Sequence, residues 1–489
     1  MTIFAQISAV VFLILLTLST IISTIDKQRS FEVLLSWCIG VLVFLFFSIL
    51  KIKFSTFAKI LFILTLTCIS LYILYLFQPH YFVFLNHNPY QFIIPTVAGH
   101  NHLGDLIGLT LTLTFITKTS FLSHYDILLF YIVMIVSFSK SSFLAMGSTY
   151  ALTLLNKKTS LMYGVILLLI TISVLLVYTK EFDVYPPIQR IQKEFSTLTK
   201  LQPKPLLSSR ELYTQQAYTS WKQADFPTQV FGYGLGNFFY PSQKTATKLD
   251  LGAPDAHNIF LSLFIEAGLL PTLWFLIFFL FVFIGGLITQ SLSLYPLLYL
   301  FVLFQTDYTF HIPFFFVCFF IFAGQSLMGK HEMQNKKIVM ILIGISFVIT
   351  AFSAYMHNDL ANQKTRLLIS LDTQIKKQDK PALFKTIETL EQIQPYNQSF
   401  LIRSSSIYEA FDAHENAVRL LEKLSVYSPR EFIIQFPHIL ELQGKSGVDL
   451  KQYIQRNKNE FIQLPLTLYE QKKFNETCIK FAEIPCIKK

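Results

Sequence analysis

Apolar residues fill the chain in long runs from residue 4 to about residue 356, and the polar residues between them are gathered into short segments. A helix needs about 17 to 25 apolar residues to cross roughly 30 Å of hydrocarbon. By that measure the pattern predicts about eleven membrane spans, at 4–24, 31–50, 57–77, 102–117, 123–139, 141–156, 160–179, 269–288, 293–306, 312–328 and 337–356. The first run has neither a charged leading segment nor a small-residue cleavage site, so it reads as a retained helix rather than a removable leader. Beyond residue 357 the apolar positions recur at helical spacing among charged ones, as in "PALFKTIETLEQIQP", "SFLIRSSSIYEA" and "HENAVRLLEKLSVYSP". The predicted fold class is all-α: a polytopic membrane region over 1–356, interrupted by a large extracytoplasmic loop at 180–257, then a soluble helical domain over 357–489.

Orientation follows from the basic residues of the short connections. Lys51, Lys53, Lys59, Lys118, Lys157, Lys158, Lys330, Lys336 and Lys337 all fall on one side, read as cytoplasmic. The opposite side receives Gln78 to Asn101, which contains no Lys or Arg, the loop from Lys180 to Ala256, and the whole C-terminal segment. Lys27, Arg29 and Lys140 break this bias, and basic residues on the disfavoured face are candidates for function. In the tail, Pro395 and Pro429 stand 34 residues apart, the period of tetratricopeptide repeats, so an α-solenoid that binds a protein partner or caps the outer face is expected there, with an unspecific helical domain as the alternative.

Composition sharpens this picture. With 53% hydrophobic residues, 50 Phe, 14% charged residues and a mean hydropathy of +0.48, the chain carries more apolar surface than one soluble core can bury, and the bilayer is its first partner. The net charge of +10 does not make a nucleic-acid protein of it, because no basic cluster interleaved with aromatics occurs. Cys38, Cys68 and Cys318 lie inside apolar runs as small hydrophobes. Cys478 and Cys486 close a short loop in the tail, where pairing and two free thiols are both open.

Four stretches carry candidate chemistry. "SFSKSSFLA", 137–145, sets Lys140 between two apolar runs among four serines, as a snorkelling anchor or an anion contact at the membrane surface. In "SSRELYTQQAYTSWKQADFPTQVFGYGLGNFF", 208–239, Arg210 opens an amphipathic helix whose Tyr213, Tyr218 and Trp221 are expected at headgroup level. Gly232, Gly234 and Gly236 then permit close backbone approach, as a turn beside a ligand rather than a nucleotide fingerprint. "GAPDAHNIFLSLFIEAGLLP", 252–271, places His257 and Asn258 at the head of a short helix, just before the chain enters a span. His100, Asn101 and His102 follow Gly99 at the start of the fourth span. His100 and His102 make a poor metal pair, since residues two apart on an extended chain point to opposite sides. The outer loops hold no Asp-x-Asp pair and no ligand cluster of standard spacing, so metal-free chemistry with no cofactor is expected. Two cations and an imidazole on one face suit displacement of a phosphate-type leaving group: the cations meet the charge that develops, and the histidine takes a proton from an attacking hydroxyl.

From about residue 95 to residue 330 the sequence resembles the O-antigen ligase family of bacterial polytopic glycosyltransferases, on the motifs "GHNHLGDLIGL", "SFSKSSFLA", "SSRELYTQQAYTSW" with "GYGLGNF", and "AHNIFLSLFIEAGLLP". The resemblance implies a multi-pass protein of the cytoplasmic (inner) membrane, with an undecaprenyl-diphosphate-linked glycan as donor and a hydroxyl on lipid, glycan or protein as acceptor. By position, His257 matches the family's loop histidine, proposed to activate the acceptor, and Arg210 its loop arginine at the diphosphate. Lys140 stands where the family usually has Arg; lysine keeps the charge but not the planar bidentate fork. Asn258, His100, Asn101, His102, Gly234 and Gly236 are the expected substrate contacts. Ligases, polysaccharide polymerases and protein O-oligosaccharyltransferases share this chemistry and differ in acceptor. The alternative from another class, a flippase or transporter of lipid-linked sugars, predicts an internal inverted repeat, of which the sequence gives no convincing sign.

Overall fold

A computed structural model describes residues 1–23, 25–77, 100–117, 130, 133–134, 139–154, 208–245, 256–328, 336–463 and 468–486, and all regular structure among them is helical. The first part comprises α1 (Thr2–Ile22), α2 (Lys27–Phe47), α3 (Phe54–Phe77), α4 (His100–Thr117) and α5 (Lys140–Leu154). The loop contributes α6 (Ser208–Gln223), α7 (Phe226–Phe231), α8 (Phe239–Thr245) and α9 (Ile259–Glu266). The chain then returns through α10 (Leu269–Thr289), α11 (Leu294–Thr306), a 3₁₀ turn (Tyr308–His311), α12 (Pro313–Ser326) and the long α13 (Lys336–Lys377). The tail holds α14 (Lys380–Ile393), α15 (Gln398–Ala410), α16 (His414–Glu422), α17 (Leu424–Tyr427), α18 (Pro429–Lys445), α19 (Leu450–Gln463) and α20 (Leu468–Ala482).

The helix starts have local causes. Asp26 accepts from the Arg29 N–H at the head of α2, Asn397 accepts from Phe400 at the head of α15, and Pro313 occupies the first turn of α12, where its missing N–H costs nothing. Among the described residues five helices are long and apolar enough to cross a membrane: α1, α2, α3, α10 and α13; α11 and α12 are shorter apolar helices. Described helices coincide with nine of the predicted spans, while 160–179 and most of 123–139 lie outside the described residues.

Packing joins α1 to α10, α2 to α12 and α13, α3 to α4, and α4 and α5 to α11. The Trp37 ring stands edge-on to Phe12, Phe275 and Phe316, with centroids 5.2, 5.5 and 5.0 Å away, so three helices interlock with α2 around one indole. Several buried hydroxyls are returned to their own helices: Thr20 donates to the Leu16 carbonyl, Thr110 to Leu106 and Thr149 to Ala145, so those three protons do not face hydrocarbon unpaired.

The main departure from the sequence reading is α13. Its apolar part was expected to end at residue 356, yet the helix runs unbroken for 42 residues, about 63 Å at 1.5 Å per residue, twice the hydrocarbon thickness. Residues 357–377 contain no Gly or Pro, and Asp372 pairs with Lys376 one turn on, so nothing stops the helix where the hydropathy falls. The boundary drawn at 356/357 therefore falls inside one element that links membrane region and tail.

In the tail α14 packs on α13, α15 on α16, and α16 on α18, around a second apolar core. Buried Glu391 accepts from Arg419 through both oxygens and from Lys423; burial pushes its carboxyl up, and the two cations more than offset this, holding it below the usual carboxylate range. Cys478 and Cys486 form a disulfide. The tail meets the loop where Ser428 and Gln243 share a hydrogen bond of 3.1 Å and the Tyr427 ring meets Tyr240 edge-on.

Candidate functional site

Asn258 builds the head of α9. Its Oδ1 accepts from the backbone N–H groups of Phe260 and Leu261 at 2.9 and 3.0 Å, and its Nδ2 donates to the Gln305 carbonyl at 3.1 Å. Asn258 thus grips the end of α11 with the side chain that caps α9. The carboxamide thereby fixes the backbone beside His257 against both α9 and α11.

That neighbour is His257, in the left-handed region at φ +49° and 23% exposed. Its Nδ1 lies 3.7 Å from Oδ1 of Asp307, two residues beyond Gln305; this is ion-pair range, longer than a hydrogen bond. The Tyr213 ring stacks on the imidazole, centroids 5.1 Å apart and planes 14° from parallel. Tyr213, expected at headgroup level, thus covers one face of His257, while Tyr218 is 57% exposed as a surface aromatic.

The other two expected cations are placed by their elements. Lys140 is the first residue of α5. The next residue, Ser141, donates to the Thr306 carbonyl at 3.3 Å and lies 3.5 Å from Oδ2 of Asp307, so the start of α5 abuts the carboxylate that faces His257. Arg210 lies on α6 three residues before Tyr213, one turn away on the same helical face. The residue after Lys140 thus meets Asp307, and the residue one turn beyond Arg210 meets His257.

Beneath this lies a second polar knot. Asp105 on α4 is fully buried and accepts from Ser139 at 2.8 Å, from Ser142, and from Thr309 at 3.0 Å, while His102 Nδ1 stands 3.1 Å from its Oδ2. Tyr299 donates to its backbone carbonyl at 2.9 Å. One carboxylate thus ties α4 to the start of α5 and to the turn after Asp307. His102, expected among the substrate contacts, is 2% exposed and braces this knot from the first turn of α4, the turn that also carries His100 and Asn101.

The glycine turn is likewise part of the framework. Gly232, Gly234 and Gly236 all have positive φ, at +76°, +98° and +73°. The close approach they permit is to the protein itself: a Cβ on Gly232 would overlap the Glu266 carbonyl, one on Gly234 the Ser23 hydroxyl, and one on Gly236 would press on Val33 and Arg29. Glu266 accepts from the N–H groups of Gly236 and Phe238, and Arg29 Nε donates to the Gly236 carbonyl at 2.6 Å. Gly234 and Gly236, expected to face substrate, hold the loop to α2 and α9.

Asp307 and Asp105 escaped the sequence reading, which followed cations. The signal was available: Asp307 is the lone acidic residue between Glu266 and Glu332, and an isolated carboxylate in an apolar stretch marks function or a paired network.

Fold and site together define a polytopic helical membrane protein with a histidine–carboxylate pair where the start of α9 meets the ends of α5 and α11. Residues 126–276 match the family model for O-Antigen ligase, in agreement with the resemblance carried by the motifs. That segment contains Lys140, Arg210, His257 and Asn258. No curated protein and no solved structure matches the chain. The family match implies a membrane glycosyltransferase activity of ligase or polymerase type.

Proposed function

We propose that this protein transfers a glycan from undecaprenyl diphosphate to an acceptor hydroxyl, at the outer face of the cytoplasmic membrane and without a metal. The observation that carries the reading is the His257–Asp307 pair, 3.7 Å apart, beneath a stacked Tyr213 and beside the start of α5. Asp307 faces Nδ1, so it orients the ring and stabilises the imidazolium that forms when Nε2 accepts a proton. The acceptor O–H attacks the anomeric carbon, its proton passes to His257, and the anomeric C–O bond breaks with its electron pair leaving on the diphosphate. A diphosphate leaves without protonation, so no second acid is required. Lys140 and Arg210 meet the growing charge, aided by the positive end of α5. A tetratricopeptide-like tail, held at the loop by the Tyr240–Tyr427 contact, would present or exclude acceptors. Ligase and polymerase differ only in that acceptor.

In proteoliposomes supplied with a lipid-linked glycan and acceptor, His257→Ala is expected to lower transfer by about 10² to 10⁴, the range of general-base catalysis, with donor affinity retained. Transfer at the parental rate would remove His257 from the mechanism.

A further inference from the structure

Arg29 runs against the charge bias of the connections, and its surroundings give a reason. A cavity of about 370 Å³ opens between α2, α9, the 308–311 turn and α12, within the span of ligand pockets, roughly 300 to 1,000 Å³. Neither His257, Asp307 nor Tyr213 lines it. Helix α9 turns Leu261 and Phe264 toward the Tyr213 cluster, and the opposite face, Ser262, Leu263 and Glu266, toward the cavity.

The lining is graded. Arg29, Glu32 and Ser36 form an exposed stripe down α2, and Trp37, Phe316 and Leu263 supply apolar wall. Arg29 spends Nε on Gly236, and its terminal nitrogens have no partner among the described residues; nor does the Glu32 carboxylate. Ser262 is 2% exposed, lines the cavity, and its hydroxyl has no hydrogen-bond partner among the described residues. A buried hydroxyl in that state calls for an outside acceptor. A diphosphate is a poor candidate, because the lining sets the carboxylates of Glu32 and Glu266 against Arg29 and His311, with no surplus of cations. Opposite charges one turn apart at the rim of an apolar slot fit a zwitterionic amphiphile.

We propose that this cavity binds one phospholipid with a phosphoethanolamine headgroup. Its phosphate lies on Arg29, its ammonium on Glu32, and an ester oxygen accepts from Ser262; the chains pass Ile39, itself 49% exposed, into the bilayer. The site is a lipid anchor for the joint between α2 and α9, independent of the transfer reaction.

Native mass spectrometry of the full chain, exchanged into equal mixtures of phosphatidylethanolamine and phosphatidylglycerol, tests it without any activity readout. The wild type is expected to retain one phosphatidylethanolamine, about tenfold over phosphatidylglycerol, the ratio one charge-assisted contact supplies. Glu32→Gln, which breaks no internal contact, is expected to abolish that preference while keeping phospholipid bound. Ser262→Ala is expected to weaken retention severalfold with an unchanged melting temperature. Equal retention of both lipids by the wild type, an undiminished preference in Glu32→Gln, or displacement of phosphatidylethanolamine by a polyprenyl diphosphate at equal concentration would each overturn the proposal.

Discussion

His257 pays for its position: a left-handed backbone at a residue with a Cβ costs about 1 to 2 kcal/mol, and Asn258 offsets it by capping α9 and gripping α11. The imidazole is thereby held at the end of a rigid element, with Asp307 on one nitrogen and Tyr213 over its face. Asp307→Asn keeps the shape and deletes the charge, so transfer is expected to fall at least about tenfold while expression and lipid-linked donor binding persist. Single-turnover measurement on the variant checks this, and a parental rate would reduce Asp307 to a packing residue. His257, Arg210 and Lys140 stand out as candidates because titratable groups at the edges of apolar runs are conspicuous in sequence. Asp307 does not, because its value arises only when the 3₁₀ turn folds back against α5 and α9, a contact between positions 50 residues apart.

At the scale of elements, most spans were legible from hydropathy alone, since a long apolar run has little choice of structure in lipid. What sequence periodicity does not contain is the identity of a neighbour. The glycines at 232–236 announced a close approach, but only the fold reveals that they meet Glu266 and Ser23. Gly232 and Gly268 act as a pair: backbone at 230–232 runs against backbone at 266–268, where Gly268 has φ +86° and a Cβ would overlap the Val230 carbonyl. Backbone cannot yield as a side-chain tip does. Gly268→Ala is therefore expected to destabilise this junction by about 2 kcal/mol or more and to speed protease cleavage within 208–245. Unchanged cleavage would show that the two strands of backbone part easily.

Across the whole molecule, the polar knots form a connected framework. Asp105 ties α4 to α5 and the turn after Asp307, Asn258 ties α9 to α11, and Glu266 with Arg29 ties the loop to α2. Helix α13 then carries the tail from the membrane region, and Ser428 with Tyr427 returns it to the loop beside α8. The sequence announced two regions; it did not announce the single helix that joins them, because hydropathy marks where lipid ends and not where a helix does. The proposed mechanism requires Lys140, Arg210 and His257 to serve one pocket. A double-mutant cycle on the glycan-transfer rate in proteoliposomes, pairing Arg210→Ala with His257→Ala and Lys140→Ala with His257→Ala, tests it most directly. Residues that act on one transition state are strongly non-additive, so each double variant is expected to be scarcely slower than His257→Ala alone. Losses that multiply in full in both pairs would contradict a shared pocket.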